Sequence, residues 1–144
     1  MQGLDSLNVS NDTYRMEIIH PGTGVAIKDK NGKAAYIDVY SMSSSVADKH
    51  RRSSYDEARK RRAARAKAND PSYDEAVEKQ AMFLAGLTAG WYLVNPATQE
   101  AIDLEFNEDN AIDLYASTNR EWIRRQVDTA VQEDGNFLPT SEID

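Results

Sequence analysis

Two histidines, a pair of close glycines, a short acidic run and a block of cations are the residues here whose types bear on chemistry. His20 precedes Pro21 at the end of an alternating segment, and His50 lies in the cationic block. Neither has an Asp-Ser partner or a metal-like cluster near it in sequence, and G-x-S-x-G, H-E-x-x-H and C-x-x-C do not occur. Both read as solvated residues. Gly22-x-Gly24 lacks the following Lys-Ser/Thr of a phosphate loop and sits between strand-like segments, so it reads as a hairpin turn. Asp103, Glu105 and Asn107 fall at the 1, 3, 5 spacing of a calcium loop. Position 6 of that loop would be Glu108 where glycine is needed, and position 12 Leu114 where a bidentate Glu is needed. Asp103 and Glu105 read instead as the exposed side of a strand, and Glu108 and Asp109 as acids in the first turn of a helix, favoured by its dipole. No nucleophile, base and orienter can be assembled, so the expectation is a non-enzymatic protein with no cofactor and no metal.

The cationic block is the sharper feature. Residues 49–67 hold nine of the seventeen Lys and Arg against Asp56 and Glu57, leaving that segment +7 and the remainder −14 within a net charge of −7. Arg51, Arg52, Arg59, Lys60, Arg61, Arg62 and Arg65 form a basic surface able to grip phosphates or dock on an acidic protein. A basic zipper would need apolar heptads continuing along the same helix, and Pro71 breaks it instead. No aromatics interleave for base stacking, and the acidic remainder argues against a general nucleic-acid or acidic-membrane binder.

The elements that must carry these residues follow from periodicity. One domain fits the 144 residues. No segment reaches the roughly 20 apolar residues of a membrane span. The first residues have neither a basic start nor an apolar run, so no secretory leader is expected. The absence of cysteine excludes disulfides and thiolate metal sites. Residues 1–13 read as a flexible arm, 14–138 as a single α+β domain, and 139–144 as a tail. Within the domain, 14–42 read as an antiparallel β-meander with strands near 14–18, 25–28 and 35–40. Asn31-Gly32 predicts a type I′ turn in it. Residues 43–68 read as a charged, projecting helix without an apolar stripe, with Ser45 as a candidate cap and Ser54 and Glu57 as a capping box where it restarts. Residues 72–134 read as mainly helical. Helix 73–89, with Val77, Met82, Phe83, Leu84 and Leu87, is the candidate cover for the sheet, and Gly90 closes it. A short helix runs from Asn107 to Tyr115, and a last helix after Thr118 aligns Trp122, Ile123, Val127 and Val131.

Taken in order, several of these landmarks resemble one family, the tail assembly chaperones of long-tailed bacteriophages, of the lambda-like minor tail kind. They are the strand ending His20-Pro21; Thr23-Gly24; Asp29 with Gly32, Ala35, Ile37 and Val39; the charged helix; Ala85-Gly86 to Gly90-Trp91; Phe106 and the Asn-led helix to Leu114; Ile123 with Gln126-Val127; and Asn136-Phe137. The resemblance spans roughly residues 14–138. Asn95-Pro96-Ala97-Thr98 departs from it, since a more Gly-rich turn is expected there.

The resemblance implies a protein of the host-cell cytoplasm that binds the tape-measure protein, helps recruit tail tube subunits, and is absent from the finished virion. It also implies that this chain corresponds to the shorter of two frameshift-related forms. A structural tail-completion or connector protein is the second reading, and a basic-helix nucleic-acid binder the third. A helical client would need an apolar groove. The expected one runs along the last helix near Ile123, Val127 and Phe137.

Overall fold

In the computed structural model, residues 2–50, 60 and 75–138 are described. Alternation builds the first two strands. Met16 is buried between exposed Arg15 and Glu17 in Tyr14–Glu17 (β1), and Ile37 and Val39 are buried beside half-buried Tyr36 and Asp38 in Tyr36–Val39 (β2). The two pair antiparallel with Met16 against Ile37, which gives one apolar and one polar face.

The expected middle strand at 25–28 makes isolated bridges only, Ile19 with Ala26 and Lys28 with Ala34. The sheet's third strand is Thr88–Tyr92 (β3), which pairs antiparallel with β2 in the order β1-β2-β3. The reason lies in the bonds at Ile18. Its N–H donates to Ala35 O, its carbonyl accepts from Ile27 N, and Ala35 N–H turns to Ile27 O. Residues 19–35 are thereby drawn off the end of β1 and β2, and the far side of β2 is left to β3. Gly90 therefore closes no helix; it lies in β3 opposite Asp38. The Asn-Gly turn also differs from expectation. Gly32 is left-handed at φ 85° while Asn31 is not, and Gly32 N–H bonds Asp29 O. This is a type I turn followed by a glycine bulge, the three-residue hairpin solution.

Helix α1, Gln2–Asp5, precedes the sheet. The segment leading into β1 is pinned and not a free arm: Ser10 N–H donates to Phe137 O, and Asn11 Oδ1 accepts from Ser45 N. After β2, residues 45–50 (α2) are helical, capped by the Ser44 hydroxyl accepting from Ala47 N, one residue earlier than expected. Ala47 is fully buried, so the start of this helix belongs to the core. The rest of the expected projecting helix, including Ser54 and Glu57, lies outside the described residues.

Helix α3, Glu75–Gly86, buries Ala81, Met82, Leu84 and Ala85 and packs chiefly on α4, Glu108–Ala116. The helix lying on β2 is α5, Glu121–Gln132, while α3 meets the sheet at β3, so α5 shares the covering role expected of α3. Its buried Ile123, Val127, Ala130 and Val131 recur at helical spacing. Asn107 caps α4 through Oδ1 to Asn110 N, with Glu108 and Asp109 in the first turn. At the other end Arg120 donates to the carbonyls of Asp113 and Leu114 and Arg124 to that of Tyr115, so two cations satisfy the last turn of α4 and tie it to α5. No described helix is long and apolar enough to cross a membrane.

Candidate functional site

Ile123, Val127 and Phe137 are buried, although Phe137 also borders a hollow beside the segment that leads into β1. They are 7, 0 and 4% exposed, and Phe137 stands edge-on to Tyr14 at 5.9 Å. Periodicity brings Ile123 and Val127 onto one side of α5, which faces β2 and the core, and Phe137 joins them from the turn that follows the helix. A client cannot reach Ile123 and Val127 without opening the domain. Of the basic surface, only Lys60 is among the described residues, and it is exposed; Arg51, Arg52, Arg59, Arg61, Arg62 and Arg65 lie outside them. Asp103 and Glu105 are exposed as expected, but on irregular chain, where Ala101 alone bridges to Val94.

What the fold does assemble is a cation–tyrosine array on the outer face of the sheet. Strand register sets Tyr36 opposite Tyr92, with ring centroids 6.0 Å apart, and Arg15 opposite Asp38. Arg15 clamps Asp38 with Nε and Nη2 at 3.0 and 3.2 Å, and its guanidinium lies 3.6 Å from the centre of the Tyr36 ring. Lys33 Nζ sits 4.4 Å from the centre of Tyr92. Each contact of this kind is worth about 0.5–1 kcal/mol at an exposed site.

Asp29 anchors the array. Its Oδ1 accepts from the backbone of Asn31 and Lys33, which shapes the turn that presents Lys33, and its Oδ2 accepts from Tyr92 Oη at 2.6 Å. The Tyr92 hydroxyl, followed by the two backbone donors, holds the Asp29 carboxyl below its ordinary range. The same bond raises the Tyr92 phenol, and Asp38 raises the Arg15 guanidinium. At neutral pH Asp29 and Arg15 are therefore held charged and Tyr92 is held as a neutral phenol. Gly90 opposite Asp38 leaves open space in the middle of it. Tyrosine and arginine are among the residue types that anchor protein–protein contacts. The array is suited to binding a protein surface. Among the described residues no group of three or more His, Asp or Glu could hold a metal ion.

Two further residues, His20 and Gln126, have structural roles that the sequence did not show. Gln126 on α5 brackets the backbone of Ile19, its Oε1 accepting from the N–H at 2.8 Å and its Nε2 donating to the carbonyl at 2.7 Å. His20 is a turn cap, its Nδ1 accepting from the N–H groups of Gly22 and Thr23. The only signal for either was membership in the resemblance, because contacts over such sequence distance leave no periodic trace. Compared with protein-family models, curated proteins and solved structures, the chain has no match.

Proposed function

We propose that this chain is a tail assembly chaperone of a long-tailed bacteriophage. It is a non-enzymatic protein of the host-cell cytoplasm that binds the tape-measure protein, helps recruit tail tube subunits and is left out of the mature virion. The observation that supports this reading is that the landmarks of the resemblance, scattered along the sequence, meet in pairs. The segment ending at His20 is held by Gln126. Trp91 stands edge-on to Phe106 at 5.0 Å, next to the Asn107 cap. Tyr14, which opens the domain, meets Phe137, which ends it. Such residues specify a fold through their mutual contacts, which is why their order and spacing are informative together. The α+β architecture agrees with what the resemblance implies.

With Ile123, Val127 and Phe137 in the core, the client surface of this reading moves to the outer sheet face, at Arg15, Lys33, Tyr36 and Tyr92. The experiment is a pulldown from phage-infected or prophage-induced cells, read by mass spectrometry beside purified particles. Recovery of the tape-measure protein with the wild-type bait, its loss with Tyr36→Ala, and absence of the bait from particles are the expected results. A bait found inside particles would replace this reading with a structural tail component. Nuclease-sensitive recovery of nucleic acid would replace it with a nucleic-acid binder.

A further inference from the structure

β1 is an edge strand of the sheet. Along an antiparallel strand, the N–H and C=O groups of successive residues point alternately to the two sides. Ile18 N–H donates to Ala35 O at 3.0 Å, so Tyr14 and Met16 turn their groups towards β2, and Arg15, Glu17 and Ile19 turn theirs away. β1 ends the sheet on that side. The outward pair of Ile19 is taken by Gln126. The outward N–H and C=O of Arg15 and Glu17 have no partner among the described residues. Below them runs a groove of about 360 Å³ between β1 and α5, lined in part by Tyr14, Met16, Thr129 and Ala130. Unpaired strand edges are templates for another strand.

We propose that this edge is a self-association site, on which a second copy of the chain lays its own β1 antiparallel about a two-fold axis at Met16. The charges of the edge select this occupant. In a pairing centred on Met16, Arg15 lies opposite Glu17 of the second copy, and Glu17 opposite its Arg15. The edge is complementary to itself, as a two-fold interface must be, and unlike charges meet twice on the outer face. Both residues are equipped for it. Arg15 spends Nε and Nη2 on Asp38, which leaves Nη1 for a second carboxylate. The Glu17 side chain is exposed and has no ion pair among the described residues. Each Arg15–Glu17 pair exchanges both of its backbone hydrogen bonds. Gln126 blocks the next pair at Ile19 and so limits the register. An unrelated extended peptide would need this charge order by coincidence; a second copy has it by identity.

The proposal rests on the edge and not on the chaperone reading, so either can fail alone. The test uses the full chain by sedimentation equilibrium across a wide concentration range, with amide hydrogen exchange of Arg15 and Glu17 read by NMR. The expected result is a dimer that dissociates on dilution, with protection of both amides lost as it does. Glu17→Arg sets like charges together twice and is expected to weaken dimerisation roughly tenfold. Mixing it with Arg15→Glu chains restores unlike pairs and is expected to recover a heterodimer. Because Arg15→Glu also faces Asp38 within its own sheet, its folding is checked first, and the amide measurement on the unaltered chain needs no variant. A monomer at every concentration with both amides exchanging freely would overturn the proposal. So would a dimer indifferent to Glu17→Arg, or protection that arises only with a foreign protein bound.

Discussion

Gly86 closes α3 where His50 of α2 comes against it, and replacing it with alanine separates two opposing effects. On helix propensity alone, Gly86→Ala should stabilise by up to about 1 kcal/mol. The structure predicts the reverse. A Cβ at residue 86 would lie 2.8 Å from both Cγ and Nδ1 of His50, and 3.1 Å from its Cβ. These are the root atoms of the side chain, so the clash cannot be relieved by swinging a distant tip. Either χ1 of His50 changes or the helices separate. Overpacking of this kind costs about 1–3 kcal/mol. With propensity set against it, a net destabilisation of up to about 2 kcal/mol is expected. Urea unfolding of the wild type, Gly86→Ala, His50→Ala and the double variant measures it as a cycle. His50→Ala removes the two ring contacts and leaves the 3.1 Å approach to Cβ. The double variant should therefore be less destabilised than the sum of the singles, by at least about 0.5 kcal/mol. A Gly86→Ala protein more stable than wild type, or a cycle additive within about 0.3 kcal/mol, would refute the packing argument.

Gln99 holds the left-handed backbone at φ 61° next to the turn that Asn95 organises. Gln99→Gly relieves that strain, and thermal unfolding should find it neutral or stabilising by up to about 1 kcal/mol; a clear loss would count against the strain. Val127→Asp places a carboxylate at a fully buried site and should cost more than about 4 kcal/mol, enough to abolish a cooperative unfolding transition; a folded variant would reopen the groove expected there. The Asp29 carboxyl titrates below its unfolded value of about 3.9, so its contribution is present above that pH and is lost as pH falls through the folded value. Tyr92→Phe removes the largest cause, and NMR titration of Asp29 should move back towards the ordinary range; an unmoved titration would contradict the assignment. Burial pushes the Tyr115 phenol well above its ordinary value, so its contribution is intact below about pH 10 and fades above that as the unfolded chain ionises. Tyr115→Phe should flatten the alkaline limb of the stability profile, and an unchanged limb would show that Tyr115 is not its source.

Local chemistry accounts for what the sequence by itself determined. β1 and β2 were legible because Met16, Ile37 and Val39 alternate with polar neighbours. Helix α4 was legible because Asn107 caps it and Glu108 and Asp109 suit its first turn. The apolar stripe of α5 was legible from the spacing of Ile123, Val127 and Val131. Each of these signals is complete within a few residues. Partnership was left to the tertiary structure. Thr88–Tyr92 became a strand because β2 offered it an edge, although its Gly90 reads locally as a helix stop. Phe137 entered the core because Tyr14 met it. The stripe on α5 turned to β2 and not to a client, a choice periodicity cannot make, because a buried face and a docking face carry the same apolar residues. The cation–tyrosine array, the His20 cap and the Gln126 bracket depend on strand register or on bonds to particular backbone atoms, and these are fixed only when distant segments pack.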